Sequence, residues 1–238
     1  MSAEPGHTFG AVAEAYARTR PPYSAATIER AAAEIGLAAD ATVLDLGAGT
    51  GNLTRALRAR FATVLAVEPD ERMRAEFEGD VLAGSAEAIP LADGSVDAVF
   101  AGEAFHWFDL EPALAEVARV VRPGGGLAAI ARSWGVREQP GLVPEAFEAD
   151  LDEVWARFHT PDWEFPDWQA AAGLEGPAEL VDTVPISGRD LVDLCLTAST
   201  PASIPGDERA AIAERAYPLM DDAYELRVVS YLYWRRFP

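Results

Sequence analysis

Lysine is absent from this chain: all 19 basic residues are arginine. Schiff-base chemistry and any tyrosine–lysine catalytic pair are therefore excluded, and the bias fits a GC-rich genome. Cysteine is nearly absent too. Cys195 stands alone, so neither an internal disulfide nor a cysteine-based zinc site can form. It sits in the apolar run Leu191–Leu196, which reads as a buried structural thiol. The three histidines, His7, His106 and His159, show no metal-ligand spacing, and no metal is expected. No apolar run approaches the roughly 18 residues of a membrane span. The polar N-terminus carries no signal-peptide pattern, so a cytoplasmic protein with no membrane partner is expected. Positive charge is in short supply. The net charge of −20 argues against a grip on a phosphate backbone, hence against nucleic acid, and reads as a solvated surface. Nothing in the composition fixes an oligomeric state.

What is present is concentrated in Thr42-Val-Leu-Asp-Leu-Gly-Ala-Gly-Thr-Gly-Asn-Leu-Thr54. A short apolar run reads as a buried parallel strand. Glycines 47, 49 and 51 break it, and a helix follows over about Asn52–Ala59. Glycine has no side chain and tolerates positive φ, so a ligand can lie directly on such a turn. Asp45 places a carboxylate at the strand's end, and Glu68 closes the next apolar run, Ala62–Val67. An acid ending the second strand is the usual partner of a ribose diol, which points to an adenosine-containing cofactor. The dinucleotide fingerprint wants glycine or alanine in the sixth place, where this chain has Asn52. Asp45, two residues ahead of the first glycine, would repel a pyrophosphate and suits a cationic ligand better.

At 238 residues the chain fits one α/β domain with an insertion. Helices are expected over Thr8–Arg18 and from Ser24 to Gly36, the second with Ile28, Ala31, Ala32 and Ile35 on one face. After the strand–loop–helix unit come a helix over about Glu71–Phe77 and a short strand near Val81–Ala83. A fourth strand, Val96–Ala101, runs into Gly102-Glu-Ala-Phe-His-Trp-Phe-Asp109. An amphipathic helix over 111–121 leads through the turn Arg122-Pro-Gly-Gly-Gly126 to a fifth strand, Leu127–Ala131. Alternating strand and helix imply a doubly wound parallel sheet. Beyond it are an amphipathic helix, Glu145–Phe158, an aromatic-rich linker over Thr160–Gly173 with room for a short helix, and a strand over Glu179–Ile186. Helices near Asp190–Thr197 and Asp207–Leu219 and a final strand over Glu225–Trp234 complete the chain.

The G-x-G-x-G pattern resembles motif I of the class I S-adenosylmethionine-dependent methyltransferases. Three further segments agree with it in order: Phe9…Tyr16…Arg20-Pro-Pro-Tyr23, Gly84–Asp97 and Val120–Gly125. Together, residues 8–131 look like a methyltransferase domain of the ubiquinone/menaquinone-biosynthesis type, in its trans-aconitate-methyltransferase-like subgroup. The resemblance implies a Rossmann-like seven-stranded sheet with the last strand antiparallel, in a single domain over 1–238. Within it, 1–36 would form N-terminal lid helices, 40–132 the cofactor-binding core and 133–178 a helical insertion over the acceptor site. The last two strands and their helices would occupy 179–238.

The same resemblance implies residue roles. Asp45, with the backbone of Gly47, Ala48 and Gly49, would hold the methionine portion of S-adenosylmethionine, and Glu68 would take both ribose hydroxyls. Pro69 and Met73 would flank the adenine. Ser85 stands where many relatives have aspartate, so the adenine contact passes to Ser85, to the backbone of Ala86 or to Glu87. Tyr16 and Arg20 would reach the cofactor's carboxylate, or else simply dock the helix that carries them. Gly102, Glu103 and Phe105 complete the cofactor set. His106, past the end of the fourth strand, is a candidate general base because its ordinary pKa, roughly 6.5, suits work near neutrality; the alternative is pocket lining. Trp107 and Trp134 are candidates for the acceptor pocket. Four of the six tryptophans, 134, 155, 163 and 168, fall between the fifth and sixth strands. They either shape an apolar pocket or form an inserted core.

The expected activity is methyl transfer from S-adenosylmethionine to an oxygen, nitrogen or carbon atom of a small molecule by in-line displacement, leaving S-adenosylhomocysteine. A protein of the same fold that binds the cofactor without methylating, as a cyclase or a ligand sensor, stays open because fold alone does not set function. A nicotinamide-dependent oxidoreductase is disfavoured by Asn52 and by the missing lysine.

Overall fold

The computed structural model describes residues 13–135, 139–158 and 167–238. The readings made for His7, Phe9, His159 and Trp163 lie outside these residues. Helix α1 spans Ala13–Thr19 and α2 spans Ala25–Ile35. The latter is capped by Ser24, whose hydroxyl accepts the Thr27 N–H at 3.2 Å, and it ends on the left-handed Gly36. Its buried face is Thr27, Ile28, Ala31, Ala32 and Ile35, the stripe legible in the sequence.

Strand β1 (Thr42–Leu46) lies between β2 (Thr63–Glu68) and β4 (Val96–Gly102), parallel to both. The two-residue β3 (Leu82–Ala83) borders β2. With β5 (Val121–Ser133), β6 (Glu175–Ser187) and β7 (Ala223–Arg236) these form a seven-stranded sheet in the order β3-β2-β1-β4-β5-β7-β6. The last strand is antiparallel, as the resemblance implied. Side chains alternate across β1: Leu44 and Leu46 join Val67, Val99 and Leu127 on one face. Val43 joins Ala98, Phe100 and Ile130 on the other, under α2 and under Leu53 and Leu57 of α3 (Asn52–Arg58). The same alternation puts Asp45 on the α3 side.

Beyond β2 lies α4 (Glu71–Ala75), and beyond β4 a single 3-10 turn, Phe105–Trp107, then α5 (Leu110–Val120). Strand β5 begins six residues earlier than the sequence implied, because Arg122–Gly126 does not form a simple turn. The ladder passes from Val96 opposite Val121 to Ala98 opposite Gly126, so the intervening residues bulge out of register. A β-carbon on Gly125 would collide with the Asp97 carbonyl oxygen, which explains a glycine inside a strand.

The chain divides into two compact units. One comprises the described residues of Pro22–Arg132, Pro166–Leu180 and Val229–Pro238, and holds both faces of the sheet core just described. Its short helix α7 (Trp168–Ala171) sets Trp168 against Phe105 and Tyr233, with ring centroids 5.2 Å from each. The other comprises the described residues of Met1–Pro21, Ser133–Phe165 and Val181–Val228. Its core packs Phe147, Leu151 and Val154 of α6 (Glu145–Phe158) with Leu191 and Leu194 of α8 (Gly188–Leu196) and Ile212 of α10 (Gly206–Ala216). A short α9 (Ser199–Ala202), not legible in the sequence, precedes α10. Cys195 packs at the edge of this core, and burial pushes its thiol up to about 12. Among the described residues no helix is long and apolar enough to cross a membrane.

The central sheet is where truncation should hurt. Leu44→Ala, in a strand buried on both faces, is expected to cost roughly 2–5 kcal/mol. Leu82→Ala, on the exposed edge strand, should stay within about 0.5 kcal/mol of wild type. Urea denaturation of both variants checks this; equal losses would mean that the core is not organised around β1.

Candidate functional site

The carboxyl ends of β1, β2 and β4 meet at the glycine turn. Gly47, Gly49 and Gly51 all have positive φ, 72°, 56° and 83°. The turn is fastened to β2, since the Gly47 and Ala48 N–H groups donate to the Val67 carbonyl at 2.9 and 3.0 Å. A β-carbon on Gly47 would lie 2.7 Å from that of Ala104, beside the Phe108 ring, so only glycine lets the loop after β4 come so close. A β-carbon on Gly49 would press on the Met73 methyl at 3.3 Å.

Glu68 ties the loops together. One carboxylate oxygen accepts the Gly49 N–H at 2.8 Å and the other the Asp70 N–H at 2.9 Å. An ionised carboxylate offers about four acceptor positions, so two remain for a diol. Burial raises the Glu68 pKa against the pull of those two donors. Asp70 then caps α4 by accepting the Arg72 N–H at 2.8 Å, and Arg74 donates to the carbonyls of Glu68 and Pro69 at 2.9 and 2.6 Å. Pro69 is thereby clamped in place, and Met73 is buried between the two loops.

Asp45 is the unusual group. It is completely buried, and its Oδ2 accepts the Thr54 hydroxyl of α3 at 2.5 Å, while Oδ1 has no hydrogen-bond partner among the described residues. Burial, with the nearby Glu68 charge adding to it, raises this carboxyl from 3.8 to about 7 against the Thr54 hydrogen bond and the Arg58 charge. A buried acceptor left unpaired is costly in a folded protein and points to a ligand with a donor to place there.

Ser85 pairs with Ala88 in an isolated antiparallel bridge, and Ala86 is buried in the core. Glu87 accepts the Asp109 N–H at 3.0 Å and so links this loop to the segment after β4. Arg119 braces the loop further, donating to the Leu91 and Ile89 carbonyls at 2.8 and 2.9 Å. Gly102 leaves room for the Tyr23 ring and Leu53, where any side chain would collide. Glu103 has φ 57°, its N–H donates to the Ile130 carbonyl at 2.9 Å, and its carboxylate accepts the Arg132 N–H. Phe105 lies in the core against Phe108 and Trp168. His106 is half-buried with its ring 4.8 Å from that of Trp107, and burial lowers its pKa, which keeps the imidazole neutral. Trp107 is 38% exposed.

The other unit holds Tyr16, Arg20 and Trp134. There the Arg20 guanidinium lies 4.3 Å from the Tyr16 ring centroid and 5.1 Å from that of Trp134, and donates to the Thr197 carbonyl at 2.7 Å. Two residues of the glycine-turn region escaped the sequence reading, Thr54 and Asp70. Asp70 was legible as a helix cap just ahead of Glu71-Arg-Met73. Thr54 needed the docking of α3 on β1 to become visible.

Residues 44–129 match the methyltransferase domain family. An uncharacterized methyltransferase of Mycobacterium tuberculosis is 45% identical over 164 residues, which cover 65% of this chain and 65% of that protein. An uncharacterized methyltransferase-like protein of Schizosaccharomyces pombe is 36% identical over 175 residues, 71% of this chain and 66% of its own. This chain thus spans just under two thirds of the length of these relatives. Among solved structures, a protein assigned as a type II methyltransferase from Anaeromyxobacter dehalogenans aligns with a TM-score of 0.58 at 23% identity, over 92% of this chain and 97% of that one. Residues 44–129 therefore match a methyltransferase domain, and the chain shares the Rossmann-like fold of solved methyltransferase structures.

The raised Asp45 carboxyl makes stability depend on pH with a definite sign. Below about pH 4 folded and unfolded chains are both protonated at this position, and the site costs nothing. As pH rises towards about 7 the unfolded chain ionises first and stability falls; above about 7 the loss is complete and constant. Asp45→Asn removes that penalty. Its stability relative to wild type, from urea unfolding without ligand, should climb across this window and level off at a gain on the order of a few kcal/mol. A pH-independent difference would contradict the assignment.

Proposed function

We propose that this chain is an S-adenosylmethionine-dependent methyltransferase acting on an oxygen, nitrogen or carbon atom of a small molecule. The observation that carries the reading is Asp45 Oδ1, a buried carboxylate oxygen without a donor among the described residues, beside a glycine turn closed to side chains. A dinucleotide's pyrophosphate would be repelled there, whereas the ammonium of a methionine moiety supplies the missing donor. Glu68, with two acceptor positions left, fits the ribose diol, and Met73 with Pro69 fits one face of an adenine. The loop over Ser85–Glu87, with no aspartate at its head, fits the other side of the base. The four ordered motifs also support the ubiquinone/menaquinone-biosynthesis type and its trans-aconitate-methyltransferase-like subgroup.

When bound, the cofactor supplies an activated methyl on a sulfonium, and the chain's task is alignment and exclusion of water. His106, kept neutral by burial, is assigned the proton released by an oxygen or nitrogen acceptor. Trp107 beside it is assigned to the acceptor's apolar part.

Calorimetry with S-adenosylhomocysteine and transfer of labelled methyl from S-adenosylmethionine to a panel of phenols, amines and small acids test the reading. Binding with transfer is expected. Binding without transfer to any acceptor would favour a non-methylating role, and absence of binding would overturn the cofactor assignment. Glu68→Ala should weaken S-adenosylhomocysteine by roughly 10²–10⁴-fold, given roughly 1.5–3 kcal/mol for each of two charge-assisted hydrogen bonds. An unchanged dissociation constant would remove Glu68 from the site. Once an acceptor is in hand, His106→Asn should lower turnover by roughly 10²–10⁴ with cofactor affinity nearly constant. Wild-type turnover in that variant would reduce His106 to pocket lining.

A further inference from the structure

Among the described residues Thr54 supplies the hydrogen bonding that Asp45 receives, the hydroxyl donating to Oδ2 and the backbone N–H adding to it. Both side chains are fully buried, and both are fixed by regular structure: Asp45 by the ladder of β1, paired with Ala66 on one side and Phe100 on the other, and Thr54 by α3. The neighbours in register are apolar. The charged groups acting on Asp45 are Glu68 from the end of β2 and Arg58 one turn beyond Thr54 on α3. Neither reaches the carboxylate with a hydrogen bond among the described residues. The Thr54 hydroxyl at 2.5 Å from Oδ2 is therefore the side-chain contact that orients the group.

A carboxylate rotates about its last torsion with a broad, two-fold profile, so one oxygen pinned fixes where the other points. Resting on the cofactor reading above, we infer that Thr54 is a positioning residue for ligand binding: by holding Asp45 Oδ2 it dedicates Oδ1 to the ammonium of the cofactor's methionine portion. Thr54 also favours the charged form of Asp45, because a donor to a carboxylate stabilises it when ionised. The same hydroxyl thus bears on both position and charge state, opposing the effect of burial.

Two nucleosides separate this from plain packing. S-Adenosylhomocysteine carries the ammonium, and 5′-methylthioadenosine has the same base, ribose and thioether without it. Their affinities should be measured by calorimetry between about pH 5.5 and 8.5, and the ratio of the two cancels any contribution of Glu68 to the ribose. In the wild type the ratio should fall as pH drops through the range near 7 where Asp45 takes up a proton. Thr54→Val should weaken S-adenosylhomocysteine by about tenfold or more, change 5′-methylthioadenosine by no more than about threefold, and move the fall in the ratio to higher pH. Thr54→Ser, which restores the hydroxyl, should return both readouts towards wild type. Thr54→Ala replaces the valine variant if that does not fold. Equal losses for the two nucleosides, an unmoved pH midpoint or failure of serine to rescue would each overturn the inference. A wild-type protein that binds neither nucleoside would instead remove the cofactor reading, and this inference with it.

Discussion

A carboxylate enclosed in the centre of a parallel sheet, with no salt bridge among the described residues, is the constraint on which this structure turns. β1 is flanked on both sides and covered on both faces, and Asp45 is the polar side chain in its otherwise apolar buried run. Thr54 compensates one oxygen, and among the described residues the other has no hydrogen-bond partner. Such a group destabilises the ligand-free protein at neutral pH, which is the ground for assigning it to the proposed site. The scaffold absorbs the cost through the aliphatic layers above and below the sheet.

The glycine turn and Glu68 follow from the same geometry. The turn must pass close to the loop after β4, which only glycine at 47 allows, and its freed N–H groups need acceptors. Val67 provides one through its carbonyl, and Glu68 another through its carboxylate. Glu68 is thus both a structural tie and a half-filled acceptor, and a diol can use what the backbone leaves. The loops that approach from Ser85–Glu87 and from Gly102–Asp109 are bound to each other by Glu87 and braced by Arg119.

Much of this was legible in the sequence because it is local. A strand that ends in glycines and is followed by a helix announces itself through spacing, and the stripe of α2 and its Ser24 cap are visible as periodicity. The parts that were not legible are those that depend on packing. Pro123 and three glycines signal a turn, yet β5 runs through them, since a bulge opposite β4 accommodates them at the strand's edge of the ladder. Phe105 follows a strand that points at a ligand, and alternation no longer says which way a side chain faces once the chain enters a 3-10 turn. Thr54 reads as an ordinary helical residue until α3 is laid on β1. A hydrogen bond between residues nine positions apart leaves no periodic trace.

Proton release on ligand binding tests the central claim most directly. If Asp45 is partly protonated in the free protein and must ionise to receive an ammonium, S-adenosylhomocysteine binding should expel about half a proton at pH 7. The quantity is read from the dependence of the calorimetric enthalpy on the ionisation enthalpy of the buffer. The account predicts that release for the wild type and its disappearance in Asp45→Asn. Binding with no net proton release in the wild type, or with the same release in both proteins, would contradict it.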